Sequence, residues 1–302
     1  MTALPPAGTS VAPGVPAGRR LSAWLSGRPR VRLAALLAPP AIWLTLVYLA
    51  ALLALLTTAF FSVDEFTNAV TRTLTLSNVR DVVSDPAYLR ASARTVGVAA
   101  AVTALCTVIA VPMAFFMAKV APARSRGLLV ALVLTPLWAS YLVKVYAWQA
   151  MVQPGSGVIA WVLRPLGVDG PGYGLMAVVL TLTYLWLPYM VLPVYAGLER
   201  LPDSLVDASA DLGAGPWRTF RDVVLPLVYP SIVAGSVFTF SLSLGDYITV
   251  QIVGGKAQLL ANIVFANYAA NLPFAAAIAI VPVLITVAYL AVVRRTGALD
   301  NL

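Results

Sequence analysis

Histidine is absent from the 302 residues, and cysteine occurs once, as Cys106. Without histidine the commonest general base and metal ligand is missing. Ser-His-Asp hydrolysis and His-Glu-x-x-His zinc proteolysis are thereby excluded. One cysteine allows neither an intrachain disulfide framework nor a cysteine metal site. Charge is scarce as well. Only 11% of residues are Asp, Glu, Lys or Arg, against roughly 25% in a soluble domain. No G-x-x-x-x-G-K-[ST] phosphate loop is present, and Gly254-Gly255-Lys256 lacks its spacing. The chain therefore has no motif for hydrolysing ATP by itself.

What is present is apolar: 60% of residues are hydrophobic and the mean hydropathy is +0.88. So apolar a chain needs lipid as its main solvent. The fold class expected is an all-α integral membrane protein with six transmembrane helices. The spans are expected at about 33–61, 93–118, 128–151, 174–197, 232–252 and 274–293, each near the roughly 20 residues that cross a bilayer. Pro112 is expected to kink the second. Polar loops are expected at 62–91, 152–173 and 254–273. Residues 1–30, rich in Pro, Gly, Ala and Arg, read as a disordered cytoplasmic tail preceding the transmembrane domain 31–302. A cleaved signal peptide fits poorly, because Pro5, Pro6, Pro13 and Pro16 stand where its apolar region would lie.

The net charge of +8 could suggest nucleic acid, but its distribution follows the membrane. Six spans put both termini on one side. That side carries Arg19, Arg20, Arg28, Arg30, Arg32, Lys119, Arg124, Arg126, Arg200, Arg218, Arg221, Arg294 and Arg295. The other carries Arg72, Arg80, Arg90, Arg94, Arg164 and Lys256. The positive-inside rule places both termini in the cytoplasm, and lipid, not nucleic acid, is the implied partner.

Between spans four and five lies a polar interruption, LPDSLVDASADLGAGPWRTFRDVVLPLVYPSI, residues 201–232. Ser204-Leu205-Val206-Asp207 fits a capping box. A helix is expected to run to Leu212 and to be ended by Gly213. Leu205, Ala208, Ser209 and Leu212 share one face by spacing, and Asp207 and Asp211 another. A second short helix is expected from Pro216 to Leu225-Pro226, with Pro230 ahead of span five. A helix resting on lipid is the bland alternative, but its aspartates have the wrong sign for anionic headgroups. A protein partner suits them better.

At this point the stretch resembles the cytoplasmic signature of permeases of binding-protein-dependent ABC importers. That signature reads Glu-Ala-Ala, three residues, Gly, nine residues, Ile-x-Leu-Pro. Asp207-Ala208-Ser209, Gly213, Val223, Leu225 and Pro226 fall at its spacing. Asp207 stands where Glu is usual, and Ser209 where the second Ala is usual. LLAPPAIWLTLVYLAALLALLTTAFFSVD, VPMAFFMAKVAPARSRGLLVALVLTPLWASYLVKVYAW, YLWLPYMVLPVYAGLERLP and SLGDYITVQIVGG are similar to polyamine-type permeases, more particularly to the first of their two permease subunits. Val250 stands where that group has proline. Iron(III), phosphonate and other small-cargo systems share these segments.

The resemblance implies a type I ABC importer permease fold and a coupling helix that docks in a groove of an ATPase. Ser204, Asp207, Ala208, Ser209, Asp211, Leu212, Gly213, Leu225 and Pro226 are the candidate docking residues. It further implies two P-loop ATPase subunits, a second homologous permease and an extracytoplasmic substrate-binding protein. The chain itself would bind no cofactor and no metal, ATP and Mg being used by the ATPase. A spermidine- or putrescine-like cargo is implied. An ion-gradient-driven transporter is the rival, yet Asp246 is the sole acidic residue inside an expected span.

Asp246 reads either as a cation-attracting group near the outer mouth or as part of a helix-breaking Gly245-Asp246 turn. Tyr247 is a candidate cation–π neighbour. Trp186, Tyr189 and Tyr146 fit either a cargo path or an aromatic belt. Lys144 is expected to snorkel to the outer interface.

Overall fold

The computed structural model describes residues 29–64, 67 and 69–295. The tail expected at 1–30 lies, but for its last two residues, outside the described residues. The chain divides into two units, residues 1–55 and 56–302. The first holds most of α1 (Pro29–Thr58), which continues through Pro39 and Pro40.

Among the described residues of the second unit, the regular structure is helical apart from a hairpin of two two-residue strands, Ser62–Val63 with Val70–Thr71. The helices are α2 (Ser77–Ser84), α3 (Pro86–Phe115), α4 (Ala123–Trp138), α5 (Tyr141–Val152), α6 (Val158–Leu163) and α7 (Leu175–Arg200). They continue as α8 (Asp203–Asp211), α9 (Pro216–Thr219), α10 (Leu225–Gly245), α11 (Ile248–Val253), α12 (Leu260–Tyr268) and α13 (Leu272–Arg295). The connections expected to be plain loops at 62–91, 152–173 and 254–273 thus contain α2, α6 and α12. Asn78 of α2 earns its position by donating to the carbonyls of Ala59 and Phe61 at 3.0 and 2.8 Å, which satisfies backbone acceptors in the turn just past the end of α1.

The core is the seam of α3, α7 and α10. One stripe of α3 is Val98, Val102, Cys106, Ala110 and Ala114, spaced every four residues and buried. It meets Leu182, Leu185, Met190, Val191 and Val194 of α7. Small side chains let helix backbones approach closely where lipid supplies no hydrophobic drive. The same device sets α7 against α10. A Cβ on Gly197 would stand 2.2 Å from Ser231 Oγ, and one on Gly235 would stand 2.6 Å from Met190 Sδ and 3.2 Å from its Cα.

Five described helices are long and apolar enough to cross a membrane, or six if α4 and α5 count together. The expected third span is not one rod. α4 and α5 meet at 91°, because Ala139 and Ser140 both adopt extended backbone with ψ 143° and 137°. The fifth span is also redrawn. It starts at Pro216, ends at Gly245, and gives way to α11. The second short helix expected to finish at Leu225-Pro226 is therefore the beginning of that span. A wide turn, Phe220–Val224, makes this possible: Leu225 N–H bonds Phe220 O, five residues back. The wider turn and the first-turn position of Pro226 in α10 spare the helix the break that proline usually brings. A matching wide turn, Phe116–Val120, closes α3. Phe115 and Phe220 meet edge to face beside these turns at 5.7 Å.

The α7–α10 contact gives a direct expectation. Gly235→Leu should destabilise the protein by about 1–3 kcal/mol through overpacking, read as a lower thermal midpoint in detergent. Gly97→Ala should leave the midpoint unchanged or raised, since nothing lies within 4 Å of that added Cβ.

Candidate functional site

Two places in the second unit gather the sequence-predicted residues. The first is α8 and its surroundings. The capping box expected at Ser204 does not form. α8 starts one residue earlier, Pro202 is its N-cap, and no side chain caps it. A distant lysine holds the start instead. Lys119 Nζ donates to Leu201 O and to Asp203 Oδ1, both at 2.6 Å. The hydrogen bond and charge of Lys119 hold the Asp203 carboxyl below its usual range.

The end of α8 is as expected in kind. Gly213 has φ +81°. Its N–H bonds Ala210 O at 2.8 Å and the Ala214 N–H bonds Ser209 O at 3.1 Å, the paired closure of a left-handed glycine stop. The face assignment needs a correction. Ser209 does not share the outward face of Leu205, Ala208 and Leu212. It is buried, and its hydroxyl pairs with Thr219 Oγ1 at 3.0 Å. Val206, half-buried, completes this inner edge. Ser209 therefore ties α8 to the start of the long helix.

Outward face Ser204, Leu205, Asp207, Ala208, Asp211 and Leu212, all exposed. Leu212 is 89% exposed and Trp217 73%. Trp217 stacks on Phe220 at 5.8 Å and 25°. It was not among the residues singled out above, although a tryptophan in a polar turn just after Pro216 was a visible anomaly. Leu225 is partly exposed, and Pro226 lines a cleft of about 410 Å³ with Arg200, Leu201, Pro202 and Leu205. Apolar side chains this exposed, on a segment that also exposes Asp207 and Asp211, form a surface suited to a partner.

The second place is the junction of α10 and α11. Gly245 ends α10, and Asp246 is 8% exposed. Its Oδ1 accepts the Thr249 N–H at 2.9 Å, and its Oδ2 accepts the Thr249 hydroxyl at 3.1 Å. Asp246 thus stands at the start of α11 as the helix-breaking reading required. It also reaches across, because the Tyr141 hydroxyl of α5 donates to Oδ2. A buried carboxylate needs such donors.

Around this carboxylate lies a cavity of about 310 Å³, lined by Tyr141, Trp186, Ser241, Leu242, Gly245, Asp246, Tyr247 and Ile248. Tyr141 stacks on Trp186 at 6.2 Å and 21°, and Trp186 meets Tyr189 at 5.8 Å. The buried indole N–H of Trp186 has no hydrogen-bond partner among the described residues. Tyr247 stacks on Phe265 of α12 at 4.6 Å. Asp246, Tyr247 and Trp186 thus share one wall, with Tyr189 behind. Tyr146 does not join them; it is 55% exposed and does not line the cavity. Lys144, half-buried, is likewise not among its lining residues. Tyr141 was not among the residues singled out above, and nothing local to residue 141 signals its bond to residue 246.

Residues 110–295 match the family model described as the binding-protein-dependent transport system inner membrane component. The chain belongs to this family. It is a permease component of an ABC importer, not itself an enzyme, and a multi-pass protein of the inner membrane. It is 42% identical over 310 residues to the inner membrane ABC transporter permease protein YdcU of Escherichia coli K12, covering 96% of this chain and 97% of that protein. It is 30% identical over 266 residues to the spermidine/putrescine transport system permease protein PotB of the same strain, covering 86% and 95%. Its fold is similar to a crystal structure of a bacterial ABC transporter involved in import of the acidic polysaccharide alginate. The TM-score is 0.68 at 15% identity, over 91% of this permease and 99% of that chain.

The Lys119 tie generates a prediction. Lys119→Ala should raise the rate of limited proteolysis at residues 201–204 several-fold, with the core helices still protected. Because the folded Asp203 carboxyl titrates below its ordinary value of about 3.9, the tie is complete at neutral pH. It is lost as pH falls through the lowered folded value. Wild-type protection at 201–204 should accordingly be flat from pH 8 to 5 and fall only in stronger acid.

Proposed function

We propose that this permease is one of two membrane subunits of an ATP-driven type I importer for a small cationic solute of the polyamine class. In this reading it crosses the membrane six times, with α4 and α5 as one broken span. The excess of Lys and Arg on the side of the termini supports placing both termini in the cytoplasm. α8 then lies in the cytoplasm and docks on one of two P-loop ATPase subunits, which use ATP and Mg. A second homologous permease completes the pathway. An extracytoplasmic binding protein delivers the cargo.

The observation that carries the reading is the outward face of α8. Asp207, Asp211 and Leu212 are exposed on a helix fixed at both ends, by Lys119–Asp203 and by Ser209–Thr219. A helix pinned in this way transmits force from a partner instead of yielding to it. The polyamine assignment is supported by the similarity to PotB, a spermidine/putrescine transport system permease, and by a carboxylate among aromatic rings, a setting that favours organic cations. The name of YdcU specifies no solute, and the alginate neighbour shows fold alone.

Two outcomes are expected. Proteoliposomes holding the whole assembly should take up labelled putrescine or spermidine only with ATP and binding protein, and an ionophore should leave uptake intact. Uptake that ignores ATP and collapses with the ionophore would mean an ion-driven carrier. Gly213→Pro, which cannot hold φ +81°, should still insert but lose co-purification with the ATPase. Normal co-purification and transport by that variant would contradict docking through α8.

A further inference from the structure

α9 and α10 form one unbroken helix from Pro216 to Gly245. At its first end Thr219 is bonded to Ser209 of α8. At its other end Asp246 is held from across the fold by Tyr141. Tyr141 is the first residue of α5, directly after the 91° break. One phenol hydroxyl therefore bridges the broken span to the end of the long helix, and it does so in the wall of the 310 Å³ cavity.

We propose that the Tyr141–Asp246 hydrogen bond is a latch that the cationic cargo opens by taking over the carboxylate. The inference rests on the importer reading above and adds the event that triggers it. A phenol is a neutral donor. An ammonium group makes a charge-assisted bond, roughly twice as strong, so it can displace the phenol. Tyr141, Trp186 and Tyr247 line the cavity, and aromatic rings attract the same charge.

The carboxylate keeps its place through the exchange. Oδ1 stays on the Thr249 N–H at 2.9 Å, and only the Oδ2 side changes partner. Once Tyr141 is released from Asp246, α5 loses its bond to the end of the long helix, while the Tyr141–Thr249 hydroxyl pair at 2.8 Å and the Gln149–Ile252 bond at 3.4 Å still hold it to α11. The long helix, about 45 Å at 1.5 Å per residue, carries any shift of its Gly245 end to Thr219 and so to α8. Cargo can bias this equilibrium only by binding the unlatched state more tightly, and the freed carboxylate supplies that difference.

The test is ATP hydrolysis by the complete assembly in proteoliposomes, with putrescine and spermidine as probes. Tyr141→Phe keeps the ring on Trp186 and removes the hydroxyl. It should raise cargo-independent hydrolysis several-fold and shrink the further stimulation by cargo. Tyr141→Gln, which restores a donor, should return the basal rate toward wild type. Gln149→Leu removes a separate bond from α5 to α11, the 3.4 Å one from Gln149 Nε2 to Ile252 O, away from the carboxylate, and should leave the basal rate unchanged. Asp246→Asn should abolish stimulation. Wild-type basal and stimulated rates in Tyr141→Phe would overturn the latch. So would an equal rise in Gln149→Leu, which would indicate general loosening between α5 and α11, or no return in Tyr141→Gln. A raised basal rate in Tyr141→Phe, in an assembly that no polyamine stimulates, would support the latch and overturn the cargo class.

Discussion

The helix from Pro216 to Gly245 stays whole although Pro226 and Pro230 lie within it. Proline removes an amide donor and crowds the preceding turn, which ordinarily breaks a helix at a cost of about 3 kcal/mol or more. Here the wide turn Phe220–Val224 moves the hydrogen bonding to a five-residue spacing just ahead of Pro226. Because the helix survives, a polar segment at one end and a buried carboxylate at the other belong to one rigid element. Both candidate sites hang on that continuity.

The two ends are secured by different chemistry. At the α8 end the ties are a lysine reaching two oxygens and a hydroxyl pair, Ser209 with Thr219. An exposed ion pair is worth little by itself, but Lys119 also satisfies the Leu201 carbonyl at the end of α7. At the cavity end a buried carboxylate takes three donors, and one of them comes from a different helix. Between the ends, close packing at Gly197 and Gly235 keeps the long helix against α7. Rigid middle and tied ends are what a coupling element requires.

Much of this was legible in the sequence where the signal is local. Long apolar runs marked the spans, the spacing from Asp207 to Pro226 marked the family, and Gly213 marked the helix stop. What was missed depends on contacts between distant residues. Residues 128–151 stay apolar on average, with only Thr135, Ser140, Lys144 and Gln149 as clearly polar side chains, so hydropathy cannot register the 91° turn at Ala139–Ser140. The capping box failed because Lys119, 84 positions from Asp203, holds the helix start. Ser209 was grouped with Leu205, Ala208 and Leu212 by spacing alone, and its partner Thr219 sets it apart from them on the inner side. Tyr141 and Asp246 are 105 positions apart, and neither announces the other.

The central claim is that the cavity and α8 are joined through one helix. An environment-sensitive probe at Arg221→Cys, beside the exposed turn that starts this helix, tests it most directly, since the native Cys106 is buried. In the intact assembly without nucleotide, adding cargo-loaded binding protein should change the probe signal, and Asp246→Asn should remove the change. A signal that ignores cargo, or that responds equally in Asp246→Asn, would contradict the account.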